Sequence, residues 1–175
     1  TVSLGYLPWD LAQAHGDAVA IGDDRSTVSF AELDSRTEAL AEQLDDLGVG
    51  RGDVLAVMLP NRLELLVAIG AAWRLGAAAT PVNPAFTATE ARHQLDDSGA
   101  AVVITTDGTS PLDTVAAIGV DAIATSSTRA IAPVALSTEA LALLVYTSGS
   151  TGRPKGVMIT HGNAEAMSST MAAHF

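Results

Sequence analysis

Short apolar runs alternate with amphipathic segments through the middle of the chain, and their spacing predicts alternating strands and helices. Residues 54–59 form a continuous apolar run, which is typical of a strand buried on both faces of a parallel sheet. Residues 77–82 and 100–105 are also predicted to be strands, and helical spacing separates the three runs at 62–75 and 87–98. This alternation predicts an α/β fold with a layered, wound, mostly parallel sheet and flanking helices.

Local capping signals set the predicted starts of the helices. Ser29 and Glu32 form a Ser-X-X-Glu capping box, and a second box of the same kind begins at Thr87. Asn61 is expected to cap the helix over 62–75, because a short amide side chain can accept a hydrogen bond from the first turn. Each of these helices is thus predicted to begin at a polar side chain that satisfies free backbone N–H groups.

The pattern is weaker on either side of this region. The first thirty residues predict a short helix at 7–15 and two short strands at 18–22 and 27–29. Between residues 106 and 138 the pattern loses definition, because Ser, Thr, Asp, Ala and Pro replace the apolar runs. We expect a variable edge of the domain there, without a repeat or a domain boundary.

Composition limits the classes of protein that fit this pattern. An apolar content of 48% and a mean hydropathy of +0.30 over 175 residues indicate one globular domain with a sizeable core. The 20 acidic and 9 basic residues give a formal net charge of −11, which argues against nucleic acid or an anionic membrane as a partner. The absence of cysteine from the sequence excludes disulfides and agrees with a cytoplasmic location. The most apolar run, 65–73, is too short for a membrane span.

The most specific feature of the chain is the sequence YTSGSTGRPKG at residues 146–156. Its glycines let the backbone approach a ligand closely, and successive exposed N–H groups then form an anion-binding nest. Hydroxyl side chains add directional donors, and Lys155, the only lysine of the chain, adds positive charge. Strands are predicted on both sides, at 141–146 and 157–160, followed by a helix from Asn163. These features predict a polyphosphate site in a loop between two strands.

Two other interpretations of the loop agree less well with its residues. A flexible Gly/Ser linker has a similar composition, but Pro154-Lys155-Gly156 and the flanking strand-like runs are not typical of linkers. The P-loop of common NTPases ends in Gly-Lys-Ser or Gly-Lys-Thr and opens a helix, whereas Lys155 is followed by Gly156 and a strand-like run. An ordinary P-loop NTPase is therefore disfavoured.

At these residues the chain resembles the adenylate-forming enzymes, a family that includes acyl-CoA synthetases, adenylation domains of nonribosomal peptide synthetases and firefly-type luciferases. Residues 146–156 match the phosphate loop of that family at every position, and the likeness continues through VMITHGN at 157–163. The Asn83-Pro84 step is closer to the acyl-CoA synthetase form. The resemblance implies that residues 1–175 are the N-terminal portion of the family's large layered α/β domain, without the remainder of that domain or the C-terminal lid domain.

The resemblance also implies a two-step reaction. A carboxylate attacks the α-phosphate of ATP to give an acyl-adenylate and pyrophosphate, and coenzyme A then accepts the acyl group. The carboxylate is expected to be a fatty acid, with Mg²⁺ accompanying ATP. Lys155 would hold the loop or its charge, and Thr147 would lie near Mg²⁺. By position, the residues that would wrap the β- and γ-phosphates are Thr147, Ser148, Gly149, Ser150, Thr151 and Gly152.

The family's later motifs do not occur in this sequence. The adenine-side segment Tyr-Gly-X-Thr-Glu, the ribose-binding aspartate, the hinge and the lysine that catalyses adenylation have no counterpart in it. We therefore expect a fragment that holds no catalytic residue and does not catalyse adenylation. Two alternatives stay open: a piece of another adenylating enzyme that acts on an amino acid or an aryl acid, and a short non-catalytic module that binds phosphate or a partner.

Other polar residues have simpler interpretations. His161 is either a structural contact at a helix start or a neighbour of the active site. The remaining histidines lack metal-ligand spacing and are expected at the surface: His15, His93 and His174. Two acidic pairs near predicted helix ends are expected to be solvated turns rather than metal sites: Asp45-Asp46 and Asp96-Asp97.

Overall fold

The computed structural model describes residues 4–147 and 154–172. The helices are α1 (Pro8–His15), α2 (Phe30–Asp46), α3 (Leu63–Arg74), α4 (Ala88–Ser98) and α5 (His161–Ala172), with a 3₁₀ turn at Val120–Ala122. The strands are β1 (Val19–Gly22), β2 (Thr27–Ser29), β3 (Val54–Met58), β4 (Ala78–Pro81), β5 (Ala100–Thr105), β6 (Ala116–Gly119), β7 (Leu141–Thr147) and β8 (Lys155–Thr160). Strands β1 and β2 form an antiparallel hairpin beside the main sheet.

The main sheet has six strands in the order β6-β5-β3-β4-β7-β8. Neighbouring strands from β6 to β7 are parallel, and β8 pairs antiparallel with β7 at the edge. The carboxyl ends of the parallel strands therefore meet at one side of the sheet. This architecture confirms the predicted wound, mostly parallel α/β fold. Within the described residues, every helix is too short or too polar to span a lipid bilayer.

Helices cover both faces of the sheet, and β3 shows why a central strand is apolar throughout. Leu55 and Val57 pack in a core with residues of α2 and α3, whereas Ala56 packs in a second core with residues of α4. All three side chains are fully buried. A strand covered on both faces has no solvent-facing positions, so the alternation of a half-exposed strand is absent.

The two predicted capping boxes are present. The Ser29 hydroxyl accepts the N–H of Glu32 at 3.2 Å, and the Glu32 carboxylate accepts the N–H of Ser29 at 2.8 Å. Thr87 and Glu90 make the same two contacts at the start of α4, at 3.3 and 2.9 Å. Gly99 follows α4 with a φ of 63°, a left-handed conformation that glycine adopts without strain. Both helices begin where the sequence predicts.

The start of α3 corrects one prediction. Asn61 does not cap this helix, because the Asp23 carboxylate accepts the N–H of Leu63 at 3.0 Å. Asp23 lies in the turn between β1 and β2, where it also accepts two backbone N–H groups of that turn. The hydrogen bond from Leu63 and those from the turn lower the pKa of Asp23 to about 2. The small hairpin therefore supplies the cap of α3 from an earlier part of the chain.

Residues 123–140, termed the connecting segment, form neither helix nor strand and lie against α2. The Glu38 carboxylate accepts the N–H of Ile131 at 3.0 Å. Glu42 accepts the N–H of Thr128 at 2.6 Å and also its hydroxyl. Carboxylates of one helix thus replace the backbone partners that a strand or a helix would provide.

Arginines complete the attachment of the connecting segment. Arg129 donates to Asp45 at 2.8 Å and to Asp46 at 2.7 Å, so this exposed acidic pair forms ion pairs as well as contacting solvent. Arg74 at the end of α3 is 5% exposed. It donates to a carbonyl of the segment at 2.8 Å and to Asp34 at 2.7 Å. The segment is therefore fixed from both α2 and α3.

Candidate functional site

The predicted phosphate loop joins the antiparallel strands β7 and β8. Thr147 is the last residue of β7, Lys155 is the first residue of β8, and the two are cross-strand partners. This pair, termed the neck of the loop, is exposed. The other predicted phosphate-binding residues lie outside the described residues: Ser148, Gly149, Ser150, Thr151 and Gly152.

The neck lies at the side of the sheet where wound α/β folds bind ligands. Strand β7 runs parallel to β4, and thus to β3 and β5, so Thr147 lies at the same side as their carboxyl ends. A cavity of 530 Å³ opens there at the ends of β3 and β5, with Met58, Phe86 and Thr105 in its wall. Crevices at the carboxyl ends of parallel strands are the usual ligand sites of open α/β sheets. The position of the neck agrees with a ligand-binding role.

Tyr146, the first residue of the motif, is held on two sides. Its ladder partner is Gly156, where a Cβ atom would lie 3.4 Å from the tyrosine Cζ and 2.9 Å from Leu144 Cδ1. The hydroxyl of Tyr146 donates to Asp97 Oδ2 at 2.6 Å. Burial and then the Asp97 carboxylate raise the pKa of Tyr146. Gly156 therefore makes room for an aromatic ring, and Asp97 is a contact that the sequence did not reveal.

The motif continues beyond the loop into the start of α5. The Asn163 N–H donates to the Thr160 hydroxyl at 3.2 Å, and the Thr160 N–H donates to the Asn163 side-chain oxygen at 3.1 Å. Gly162 permits a close approach, since a Cβ there would lie 3.0 Å from the Thr138 carbonyl oxygen. This reciprocal pair resembles a capping box, and the helix consequently begins at His161, two residues before the predicted start.

His161 is a structural contact at that helix start. Its side chain is fully buried, its Nδ1 lies 2.5 Å from the Tyr6 hydroxyl, and its ring packs edge-on against Trp73. Burial lowers the pKa of the imidazole, so the neutral ring can accept the tyrosine hydrogen. Of the two interpretations offered by the sequence, the geometry supports the structural one. The contact joins the N-terminal segment to the base of the β7–β8 hairpin.

Metal-binding residues are limited in the described part of the chain. Within residues 4–147 and 154–172, no group of three or more His, Asp or Glu side chains is placed so that it could hold a metal ion. Thr147 is exposed, and its contact with Mg²⁺ stays a prediction. In nucleotide sites this ion takes few protein oxygens and is held mainly by phosphate and water. His15 is exposed and His93 is partly exposed, whereas His174 lies outside the described residues.

Fold and site together define a wound α/β domain with a loop of anion-binding composition at the carboxyl ends of its strands. The model of one protein family, described as AMP-binding enzyme, matches residues 9–175. The chain belongs to this family, which confirms the resemblance to adenylate-forming enzymes.

Several curated proteins are similar to the chain. They include 2-succinylbenzoate–CoA ligase from Bacillus subtilis, 36% identical over 156 residues, and feruloyl-CoA synthase from an Amycolatopsis species, 37% identical over 169 residues. These matches cover 87% and 91% of the chain but 32% and 34% of those proteins. Tyrocidine synthase 3 from Brevibacillus parabrevis is 35% identical over 148 residues, 82% of the chain and 2% of that protein. The chain thus spans about a third of the length of the two CoA ligases.

Solved structures agree with these relatives. O-succinylbenzoate coenzyme A synthetase from Bacillus subtilis in complex with AMP superposes with a TM-score of 0.87 at 33% identity, covering 96% of this chain and 45% of that chain. The same enzyme in complex with ATP and magnesium ion gives a TM-score of 0.83 at 33% identity, with 96% and 47% covered. The layered sheet described above is therefore the fold of this part of such enzymes.

Proposed function

We propose that this chain is the first part of the large domain of an AMP-forming carboxylate–CoA ligase. Such an enzyme joins a carboxylate to the α-phosphate of ATP with release of pyrophosphate, then transfers the acyl group to the thiol of coenzyme A with release of AMP. The observation that carries the proposal is the position of Thr147 and Lys155 as partners at the ligand-binding side of a wound sheet, in a chain of the AMP-binding enzyme family. The CoA ligases among its relatives support coenzyme A as the acceptor.

The residues of the motif would bind the pyrophosphate part of ATP. Backbone N–H groups and hydroxyls of residues 147–152 would donate to oxygens of the β- and γ-phosphates, and Lys155 would add positive charge beside them. Donors directed at the leaving group lower the barrier, because negative charge develops there in the transition state. Thr147 is proposed to contact Mg²⁺, which supplies charge neutralisation when bound with ATP. Bond formation at the α-phosphate is assigned to no residue of this chain.

The identity of the carboxylate is the most specific part of the proposal. The sequence alone favours a fatty acid, whereas the two CoA ligases are named for 2-succinylbenzoate and for ferulate, both of which carry an aromatic ring. We therefore propose a carboxylic acid that is either aliphatic or aromatic, and we rank acids with an aromatic ring before fatty acids. Similarity to tyrocidine synthase 3 keeps an amino acid as the alternative substrate. A cytoplasmic location stays a prediction.

Carboxylate-dependent exchange of pyrophosphate into ATP tests this function in the protein expressed from the complete reading frame that encodes the sequence. Aryl acids, fatty acids of several lengths and amino acids are compared, and each active acid is then offered coenzyme A. We expect exchange with an aryl or a fatty acid, followed by formation of the thioester. Exchange with amino acids and no thioester would assign the chain to an amino-acid-activating enzyme. A protein that supports exchange with no acid would contradict the proposed activity.

The 175-residue chain by itself is expected to be inactive in the same assay. Its sequence contains the phosphate loop but no counterpart of the family's adenine, ribose and catalytic lysine motifs. Adenylation by the isolated chain would show that the chemistry needs only these residues, and would require a catalytic group to be found among them.

A further inference from the structure

We propose that Asp97 is a positioning residue that holds the neck of the phosphate loop through its hydrogen bond to Tyr146. Tyr146 precedes Thr147 in β7, and its hydroxyl reaches the Asp97 carboxylate at 2.6 Å across 49 positions of sequence. Asp97 lies in α4, so this contact joins the helix to the strand that enters the loop. The geometry stands on described residues alone, whereas its consequence for phosphate binding rests on the proposed function.

A second contact from α4 fixes β7 just before the neck. Gln94 lies one helical turn before Asp97, so the two side chains share a face of α4. The Gln94 amide donates to the Thr80 hydroxyl at 2.9 Å, and that hydroxyl donates to the Leu144 carbonyl at 2.8 Å. Gln94 and Thr80 are 2% and 0% exposed. One face of α4 therefore restrains β7 at Leu144, through Thr80, and again at Tyr146.

These restraints matter because the sheet alone holds this end of β7 on one side only. The register of β4 with β7 contains the single pair Ala79 and Leu143. Beyond Leu143, the described part of β7 pairs only with β8, which is itself the edge strand of the sheet. Without α4, the described part of β7 beyond Leu143 would be attached by its pairing with β8 and by the Thr80 hydroxyl alone. The contacts from α4 hold the Thr80 hydroxyl and add a separate attachment at Tyr146.

The negative charge of Asp97 allows a positioning role to be distinguished from an electrostatic one. A carboxylate near a phosphate site opposes anion binding, and the chain already carries a formal net charge of −11. Removal of this charge alone would strengthen the binding of phosphate, whereas loss of a positioning contact would weaken it. Asp96 provides a matched control, because it is the adjacent exposed carboxylate and its side chain accepts no hydrogen bond from the described residues.

Amide hydrogen exchange at residues 144–147 and 155–157 tests the geometry without any ligand. We expect Asp97→Ala and Tyr146→Phe each to speed exchange there about tenfold, since a hydrogen bond to a charged group is lost. The double variant should exchange no faster than either single variant, because both remove the same interaction. Asp97→Asn, which keeps an acceptor oxygen, should retain most of the protection, and Asp96→Ala all of it. Exchange at the wild-type rate in both Asp97→Ala and Tyr146→Phe would overturn the proposal.

Binding of inorganic pyrophosphate and of Mg·ATP to the protein from the complete reading frame tests the consequence. We expect Asp97→Ala and Tyr146→Phe to raise the dissociation constant of pyrophosphate about fivefold or more in protein that remains folded. Asp96→Ala should leave that constant unchanged or lower it. Equal effects of Asp96→Ala and Asp97→Ala would overturn the positioning role. A wild-type protein that binds neither ligand would contradict the proposed function, while the exchange measurement would still decide the role of Asp97.

Discussion

Two regions of the molecule are held in place by different interactions. Residues 54–105 alternate strand and helix around apolar cores, in which Leu55, Leu95 and Ile104 are fully buried. The connecting segment forms neither helix nor strand, yet side chains of α2 and α3 bind its backbone at several points. Apolar burial orders the first region. In the second, hydrogen bonds to charged side chains from distant parts of the chain add to the burial of Ile131 and Leu136.

The difference matters for the candidate site because the connecting segment leads into β7. One of the helices that bind the segment also reaches the strand, since the Trp73 indole of α3 donates to the Ala142 carbonyl at 2.9 Å. The apolar region supplies the three central strands of the sheet, and polar side-chain contacts help to fix the strand that carries the neck beside them. The effects of substitutions in the two regions should therefore differ in the loss of stability, in how far along the chain they spread and in their dependence on pH.

The largest effect is expected in the apolar region. Leu55→Ala removes a fully buried side chain and leaves a cavity, so the free energy of unfolding should fall by about 3 kcal/mol. Leu66→Ala is the matched control, because Leu66 is 38% exposed and its loss should cost less than about 1 kcal/mol. Urea denaturation measures both values. Equal losses would show that burial does not distinguish these positions.

The next largest effect is expected from Arg74→Ala. Loss of this buried guanidinium leaves the Ile131 carbonyl and the Asp34 carboxylate without their donor, at a cost of about 2 kcal/mol. Hydrogen exchange should rise in the connecting segment and stay slow in residues 54–105. Arg51→Ala is the control. Arg51 is exposed and donates to another carbonyl of the segment at 2.9 Å, so its replacement should lower the free energy of unfolding by less than about 1 kcal/mol. Loss of protection throughout the sheet would remove the distinction between the two regions.

A smaller and local effect is expected from acid. Hydrogen bonds from Thr128 lower the pKa of the Glu42 carboxyl below its ordinary value of 4.5. The folded state therefore binds this proton less readily than the unfolded chain, so the contribution to stability is complete above pH 4.5 and is lost as the pH falls toward the lower folded value. The connecting segment should lose protection in this range before residues 54–105 do.

Glu42→Gln provides the control for this pH dependence. The neutral amide does not titrate, so the segment should exchange faster at neutral pH and show a smaller further increase in acid. The measurement is amide exchange of both regions at several pH values, corrected for the intrinsic exchange rate. An identical acid response in residues 54–105 would contradict the greater dependence of the connecting segment on carboxylates.

Local signals in the sequence predict the first region well and the second poorly. The capping boxes at Ser29 and Thr87 and the apolar run of β3 extend over only a few residues, so they can be recognised directly. The contact of Asp23 with α3 spans 40 positions, and that of Glu42 with Thr128 spans 86. Such pairs leave no periodic pattern, because each partner is an ordinary polar residue in its own neighbourhood.

The candidate site shows the same division. The motif at residues 146–156 predicts a loop between two strands, and Thr147 and Lys155 are indeed partners at the end of β7 and the start of β8. The hydrogen bond of Tyr146 to Asp97 was not predicted, because Asp97 belongs to no motif and lies on a separate helix. The phosphate contacts of the loop residues stay predictions that binding measurements must test.

The assignment of the β7–β8 neck to a phosphate site of an adenylate-forming enzyme is tested by replacing Lys155. In the protein from the complete reading frame, Lys155→Ala should lower carboxylate-dependent pyrophosphate exchange about tenfold or more and raise the KM for ATP. Lys155→Arg keeps the charge and should retain more activity, and both variants should unfold like the wild type because Lys155 is exposed. Unchanged exchange with an unchanged KM for ATP in Lys155→Ala would contradict this assignment.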